Sequence, residues 1–249
     1  MLTVERHEKI MKLLQEKQTV TIQELLDETG SSESTIRRDL TELEQQKKVK
    51  RIHGGATRLQ KKLEEPTLAE KTVKNIQEKK AIAERAAAFV EEGDCIFLDA
   101  GTTTLEMIPF LNNKKVAVVT NGLMNIGLLA DLEIETHVVG GEVKSGTRAF
   151  VGRSAIQTLE TFRFDKAFLG TNGVTKQDGC TTPDPQEAFI KEYAKLRSRQ
   201  TYVVADHSKF GEVAFAKFAA VDEVTLITSS KVEEERDVSQ MTNIEVVSL

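Results

Sequence analysis

Two apolar repeats broken by a single glycine constrain this chain more than any other feature. Ile22, Leu25 and Leu26 recur at helical spacing and stop at Gly30; Ile36, Leu40 and Leu43 then recur at the same spacing. Glycine tolerates the left-handed backbone that ends a helix. Ser31, Ser32 and Ser34 stand where the next helix must begin, with hydroxyls suited to its unpaired amides. Upstream, Ile10, Leu13 and Leu14, with Val4 before them, share one face of a further helix, and a short break at 17–20 follows it. Helix, glycine turn, helix is the helix-turn-helix arrangement. Downstream, the runs at 49–52 and 56–59 flank His53-Gly54-Gly55 and read as a β-hairpin. A hairpin directly after the last helix of such a motif is a wing.

The chemistry of this segment points to double-stranded DNA. Ser32, Ser34, Thr35, Arg37 and Arg38 occupy the cap and first two turns of the third helix. That is the part of a recognition helix that meets base edges, where Arg pairs with guanine and Ser or Thr binds a base or a phosphate. From 47 to 62 the chain carries Lys47, Lys48, Lys50, Arg51, Arg58, Lys61 and Lys62 and no acid. A wing of that charge lies along phosphates or probes the minor groove. At the wing tip, beside Gly54, His53 either contacts DNA or fills the turn. Arg37-Arg38-Asp39 alone would equally suit a solvated helix surface; it is the serine cap, the glycine turn and the basic hairpin together that favour recognition. The net charge is −5, so a DNA binder must concentrate its bases locally, as this stretch does. The absence of Trp and an aromatic share of 5% argue against a stacking platform for single strands.

Composition changes near residue 60. The run 59–77 is polar, contains Pro66 and reads as a linker leading into a helix over 75–91. Beyond it, apolar runs at 95–98, 116–119, 137–139, 167–169, 202–205, 224–227 and 244–247 alternate with helical stretches. This rhythm predicts an α/β domain with a largely parallel sheet and flanking helices. The expected organisation is a winged helix-turn-helix domain over 1–60, a linker over 61–74, and an effector-sensing and oligomerisation domain over 75–249. Cys95, in the run Cys95-Ile96-Phe97-Leu98, is expected to be a buried thiol. Two cysteines without a signal-like N-terminus fit a reducing cytoplasm, and no stretch approaches a membrane span. His7, His53, His137 and His207 are scattered and neither cysteine has a partner at ligand spacing, so no metal is expected.

Loops at the strand C-termini carry the remaining chemistry, at the edge where open α/β sheets bind ligands. Asp99-Ala100-Gly101-Thr102-Thr103-Thr104 joins a strand to a helix and suits a phosphate: glycine for close approach, hydroxyls to donate, helix amides beyond. A well-capped helix is the plain alternative. It is no Walker A loop, lacking the Gly-Lys-Ser/Thr ending. Thr120-Asn121-Gly122, Gly140-Gly141, Gly170-Thr171-Asn172-Gly173 and Asp206-His207-Ser208-Lys209 are the other junctions. Lys209 offers a point charge to a phosphate. Glu187 and Lys191, four apart, share a helix face either as ligand contacts or as a surface ion pair.

Arg6, Ile10, Leu14, Ser32-x-x-Thr35-Ile36-Arg37-Arg38-Asp39-Leu40 and Arg51-Ile52-His53-Gly54-Gly55-Ala56 resemble the signature of the DeoR family over about the first 60 residues. The strand-end motifs carry the likeness over nearly the whole chain. The resemblance implies a dimeric or tetrameric repressor of a sugar-catabolic operon. Its sensor domain is similar to the ribose 5-phosphate isomerase A fold, whose phosphate loop and Asp-x-Ser-Lys loop match Asp99–Thr104 and Asp206–Lys209. The isomerase has Asp-Gly-Ala-Asp where this chain has Gly170-Thr171-Asn172-Gly173. Two carboxylates for proton shuttling are therefore absent, which favours binding without turnover over an active isomerase fused to a DNA-binding domain. No catalytic residue and no cofactor are expected; the regulatory ligand is a phosphorylated sugar. Across the whole chain the likeness is to the fructose-operon branch of the family, which implies fructose 1-phosphate. Whether regulation is by repression or activation depends on operator position, which the chain does not encode. The residues expected at the effector are Asp99, Gly101, Thr102, Thr103, Thr104, Thr120, Asn121, Gly141, Gly170, Glu187, Lys191, Asp206 and Lys209.

Overall fold

The computed structural model describes residues 2–17, 19–46, 48–52, 54–58, 67–232, 241 and 243–249. Lys47, His53, Lys61, Lys62 and Pro66 lie outside the described residues, as does the side chain of Arg58. The chain divides into two units, residues 1–61 and 62–249.

In the first unit, α1 (Thr3–Lys17), α2 (Ile22–Thr29) and α3 (Glu33–Gln45) enclose Ile10, Leu14, Leu25, Ile36, Leu40 and Leu43, all buried. Gly30 ends α2 at φ +63°, and Ser32 caps α3 by accepting from the Thr35 amide. Within the break expected at 17–20, Lys17 still belongs to α1 and a strand begins at Thr19. Strand β1 (Thr19–Thr21) pairs with β3 (Gly55–Arg58), which pairs with β2 (Val49–Ile52), giving a three-stranded antiparallel wing. This explains the paired glycines. Gly54 turns the hairpin at φ +79°, while a Cβ at Gly55 would stand 2.1 Å from the Val20 carbonyl oxygen. The first glycine supplies conformation; the second supplies room for β1.

The second unit begins inside the expected linker. Helix α4 (Leu68–Val73) starts at a capping box in which Thr67 and Glu70 satisfy each other's amides. Polar composition concealed it, since it has no buried residue. Next come α5 (Ile76–Ala88), β4 (Cys95–Leu98), α6 (Thr102–Leu105), β5 (Ala117–Thr120), α7 (Leu123–Asp131) and β6 (Glu135–Val138). They are followed by β7 (Glu142–Val143), β8 (Phe150–Val151), α8 (Arg153–Glu160) and β9 (Phe164–Gly170). The rest is β10 (Gly173–Thr175), β11 (Gly179–Thr182), α9 (Pro185–Leu196), β12 (Ser198–Val204), β13 (Ala216–Ala219), β14 (Thr225–Ser229) and β15 (Ile244–Val247).

Seven strands form a wholly parallel sheet in the order β15-β14-β12-β9-β4-β5-β6. They correspond to the seven apolar runs, and both faces are covered. Phe97, Val119, Leu169 and Val203 pack on one side with Leu159 of α8 and Ile190 and Ala194 of α9. Ile96, Leu98, Val118 and Val204 pack on the other with Ile82 and Ala86 of α5 and Leu129 of α7. An antiparallel sheet, β10-β11-β13, was not expected. Cys95 is exposed at the first position of its strand, contrary to the buried thiol expected; burial starts only at Ile96. Cys180 is the buried thiol, and its burial pushes its pKa up to about 12. Among the described residues no helix is long and apolar enough to cross a membrane.

The sheet order reverses direction between β4 and β9. The chain winds outward from β4 through β5 to β6, then returns to the other side of β4 as β9. The crevice beyond these two strands' carboxyl ends is where such a sheet takes a ligand.

Candidate DNA interface and effector site

On α3, Ser34, Arg37 and Arg38 are exposed, and Thr35 is half-buried. The Ser32 hydroxyl lies 3.0 Å from that of Ser34 and 2.8 Å from that of Thr35. Arg37 is held by Glu33, one turn earlier, at 2.8 Å. Arg51 of the wing donates from its amide to Glu44 (2.9 Å) and from Nη1 to Thr41 (2.9 Å), tying β2 to α3. Lys50 is half-buried and Gly54 exposed. Asp39 differs from its two arginine neighbours. It is buried and accepts from Nε and Nη2 of Arg6 on α1, with His7 Nε2 3.3 Å away. Burial alone would raise its carboxyl; the Arg6 hydrogen bond and charge outweigh that, and its pKa is lowered. Arg37-Arg38-Asp39 is therefore two outward cations on an inward anchor.

At the strand ends of the second unit, the expected effector residues separate into two groups. The first surrounds Asp99, just beyond β4 and buried. Its Oδ2 accepts from the Gly170 amide at 2.9 Å and is paired with Lys191 Nζ. One carboxylate thus bridges the β4 and β9 ends and the helix α9. Asn121 Oδ1 accepts from the Ala100 amide at 2.9 Å. Thr104 and Thr120 are fully buried. The Thr104 hydroxyl sits 2.7 Å from the Asp99 carbonyl and accepts from the Gly101 amide. The Thr120 hydroxyl donates to the Leu98 carbonyl at 2.7 Å. These two threonines shape the loops. Thr102, half-buried, is more open than Thr103. Asn125, not singled out from the sequence, joins the same network, donating to Thr120 Oγ1 (2.9 Å) and the Asp99 carbonyl (3.1 Å).

Glu187 and Lys191 share a buried face of α9 but do not form the surface pair that was one alternative. Glu187 accepts instead from Lys144 (2.9 Å) and Thr147 (2.6 Å). Gly141 is exposed; a Cβ there would meet the Val151 carbonyl at 2.4 Å, so its glycine is needed for packing with β8.

The second group surrounds Asp206, beyond β12. Asp206 accepts from Asn75 Nδ2 (2.9 Å) and the Ser208 amide (3.1 Å). His207 bonds Glu78 at 2.7 Å through its ring and at 2.7 Å through its amide. Glu78, Asp206 and His207 thus converge at a spacing that could hold a metal, but these hydrogen bonds account for their arrangement. Lys79 was missed in the sequence because it stands in the charged run Gln77-Glu78-Lys79-Lys80. In the structure it is buried and donates to the Lys71 carbonyl. Burial, together with the charges of Lys209, Lys71 and Lys74, pulls its pKa down to about 8, against the pull of Asp206.

A winged helix-turn-helix joined to an α/β domain with buried charge at its sheet switch point defines the class: a DNA-binding regulator with a separate sensor domain. The family model described as DeoR-like helix-turn-helix domain matches residues 6–62, and that described as DeoR C terminal sensor domain matches 74–231. An uncharacterized HTH-type transcriptional regulator of Bacillus subtilis, FruR, is 49% identical over 94% of this chain and 93% of its own. The HTH-type transcriptional regulator GlpR of Haloferax volcanii is 37% identical over 91% and 89%. The lactose phosphotransferase system repressor of Staphylococcus aureus is 34% identical over 98% of each. The chain belongs to the DeoR family of transcriptional regulators. Among solved structures, ribose 5-phosphate isomerase A of Methanocaldococcus jannaschii aligns over 55% of each chain at 19% identity and a TM-score of 0.42, too slight a likeness to bear on function.

Proposed function

We propose that this protein represses a sugar-catabolic operon in the cytoplasm and releases its operator when a phosphorylated sugar binds at the carboxyl edge of the seven-stranded sheet. Ser32, Ser34, Thr35, Arg37 and Arg38 read the major groove, while Lys50, Arg51 and Gly54 of the wing, with His53, track the backbone. The chain acts as a homo-oligomer on a repeated or palindromic operator, because one winged module rarely discriminates against a genome of competing sites.

The observation that carries the effector reading is the placing of two charge systems on one sheet edge. Lys79 and Lys209 gather beside Asp206 at the end of β12, and Asp99 and Lys191 lie at the end of β4. Only β9 separates these strands, so their ends are about 10 Å apart. A phosphate held by Lys79, Lys209 and the Thr102–Thr103 amides places sugar hydroxyls toward Asp99, Asn121 and Glu187. The naming of the Bacillus relative and the lactose-system repressor supports a sugar effector, and fructose 1-phosphate is the candidate we favour. The test is a thermal-shift series on the full chain with fructose 1-phosphate, other phosphosugars and their unphosphorylated forms, paired with gel shifts on the operator. Selective stabilisation and release by a phosphosugar is expected. Equal response to phosphorylated and free sugars overturns the phosphate site.

A further inference from the structure

Helix α7 has the composition of a helix with no solvent side. Its sequence, Leu-Met-Asn-Ile-Gly-Leu-Leu-Ala-Asp, carries no charge before its last residue. Helices apolar all round are buried on every side. Yet α7 buries only the Asn125–Leu129 side against the sheet. Leu123, Met124 and Leu128 are 40%, 39% and 42% exposed, and Gly127 and Ala130 are exposed beside them. Val138 of β6, on the sheet face that α7 covers, extends the patch at 38%. Strand β6 is the last strand of its sheet.

The ends of α7 are oppositely charged. Arg148 sits at the amino end, where its carbonyl accepts from the Leu123 amide (3.0 Å) and its Nη1 lies 3.0 Å from Met124 Sδ. Asp131 closes the carboxyl end, followed by the exposed Glu133 and Glu135. A two-fold interface is self-complementary: each residue meets a counterpart that meets it in return. If two α7 helices pack antiparallel about an axis between Gly127 and Leu128, Met124 of one faces Asp131 of the other. Each Arg148 then approaches the partner's acidic end. Gly127, with open space where a Cβ would stand, lets the backbones come close at the crossing.

We propose that this face of α7, extended by Val138, is where a second copy of the chain docks, by antiparallel α7–α7 packing. The proposal rests on the homo-oligomer reading above and says which surface makes it. The test is sedimentation of the full chain at micromolar concentration, wild type against Leu128→Glu, with far-UV circular dichroism as a check on folding. Wild type is expected to be at least dimeric, and the variant to lose half its mass. Gly127→Cys in a Cys95→Ser background, treated with a short bismaleimide spanning the about 8–10 Å between packed helices, should give a covalent dimer. Glu192→Cys on α9 in the same background should not. Asp131→Arg should weaken assembly and Arg148→Asp added to it should restore it. A monomeric wild type overturns both this proposal and the homo-oligomer reading. An oligomer untouched by Leu128→Glu and no better cross-linked at 127 than at 192 overturns only the α7 surface.

Discussion

Asp39 on α3 accepts hydrogen bonds from two nitrogens of Arg6 on α1, across 33 residues of sequence, and both side chains are buried. The pair fixes the rotation of α3 about its axis, and so which residues face outward. Asp39→Asn removes the charge and leaves a buried guanidinium uncompensated, at a cost of about 3–5 kcal/mol. Amide hydrogen exchange across α1 and α3 should report this loss, and operator binding should fall although Asp39 reaches no base. The sign with pH follows from the lowered pKa of Asp39. Its contribution is intact above the unfolded carboxylate value of about 3.9 and is lost as pH falls through the lower folded value.

The two wing glycines should respond differently to alanine. Gly54→Ala meets no atom within 4 Å but keeps φ +79°, costing about 1–2 kcal/mol. Gly55→Ala drives a methyl into the Val20 carbonyl and must separate β1 from β3. Exchange protection at Thr19–Thr21 should therefore survive the first substitution and vanish in the second.

Arg38→Ala is expected to cost about 1–3 kcal/mol on the cognate operator and to relax sequence preference. Lys50→Ala should weaken binding to all sequences alike and flatten the log–log salt slope by about 0.9. Gel-shift titrations at several salt concentrations separate the two. Unchanged operator affinity in Arg38→Ala and Arg37→Ala together would remove α3 from the reading head.

How far the chain could be read from its sequence follows from burial. The parallel strands were legible because a sheet covered on both faces needs continuous apolar runs, as at Cys95–Leu98 and 202–205. Strands β10 and β11, built of Gly, Thr, Val and Cys, lack both that run and a two-residue alternation. The Asp99 and Asp206 loops were legible from their position after strands. Lys79 was not, because a buried lysine looks in sequence like any exposed one. The inward turn of Asp39 was not legible either, because its partner Arg6 is remote in sequence.

Effector binding is expected to depend on pH through Lys79. Without effector its pKa of about 8 lies below the unfolded value of about 10.4, so the folded state binds fewer protons in that window. This group's contribution therefore makes the domain more stable as pH rises from about 8 toward 10.4. A bound phosphate favours the ammonium and raises that pKa. Calorimetry near pH 8.5 should show proton uptake on effector binding, in buffers of different ionisation enthalpy, and Lys79→Met should abolish it. Lys209→Ala should bind operator normally and fail to release it.

The buried pair of Asp99 and Lys191 allows a structural role to be told from an effector role. Lys191→Met leaves the Asp99 carboxylate with the Gly170 amide but without its cation, and Asp99→Leu strands a buried ammonium. Each single change should cost about 3–5 kcal/mol, whereas replacing both partners by apolar groups of similar volume is often neutral. The double variant should therefore recover most of the stability lost by either single one, measured by hydrogen exchange at β4 and β9. If Asp99 and Lys191 also hold sugar hydroxyls, the recovered double variant still binds operator but no longer releases it on addition of phosphosugar. If it releases like the wild type, the pair serves only to join β4, β9 and α9, and the sugar contacts belong to Asn121 and Glu187.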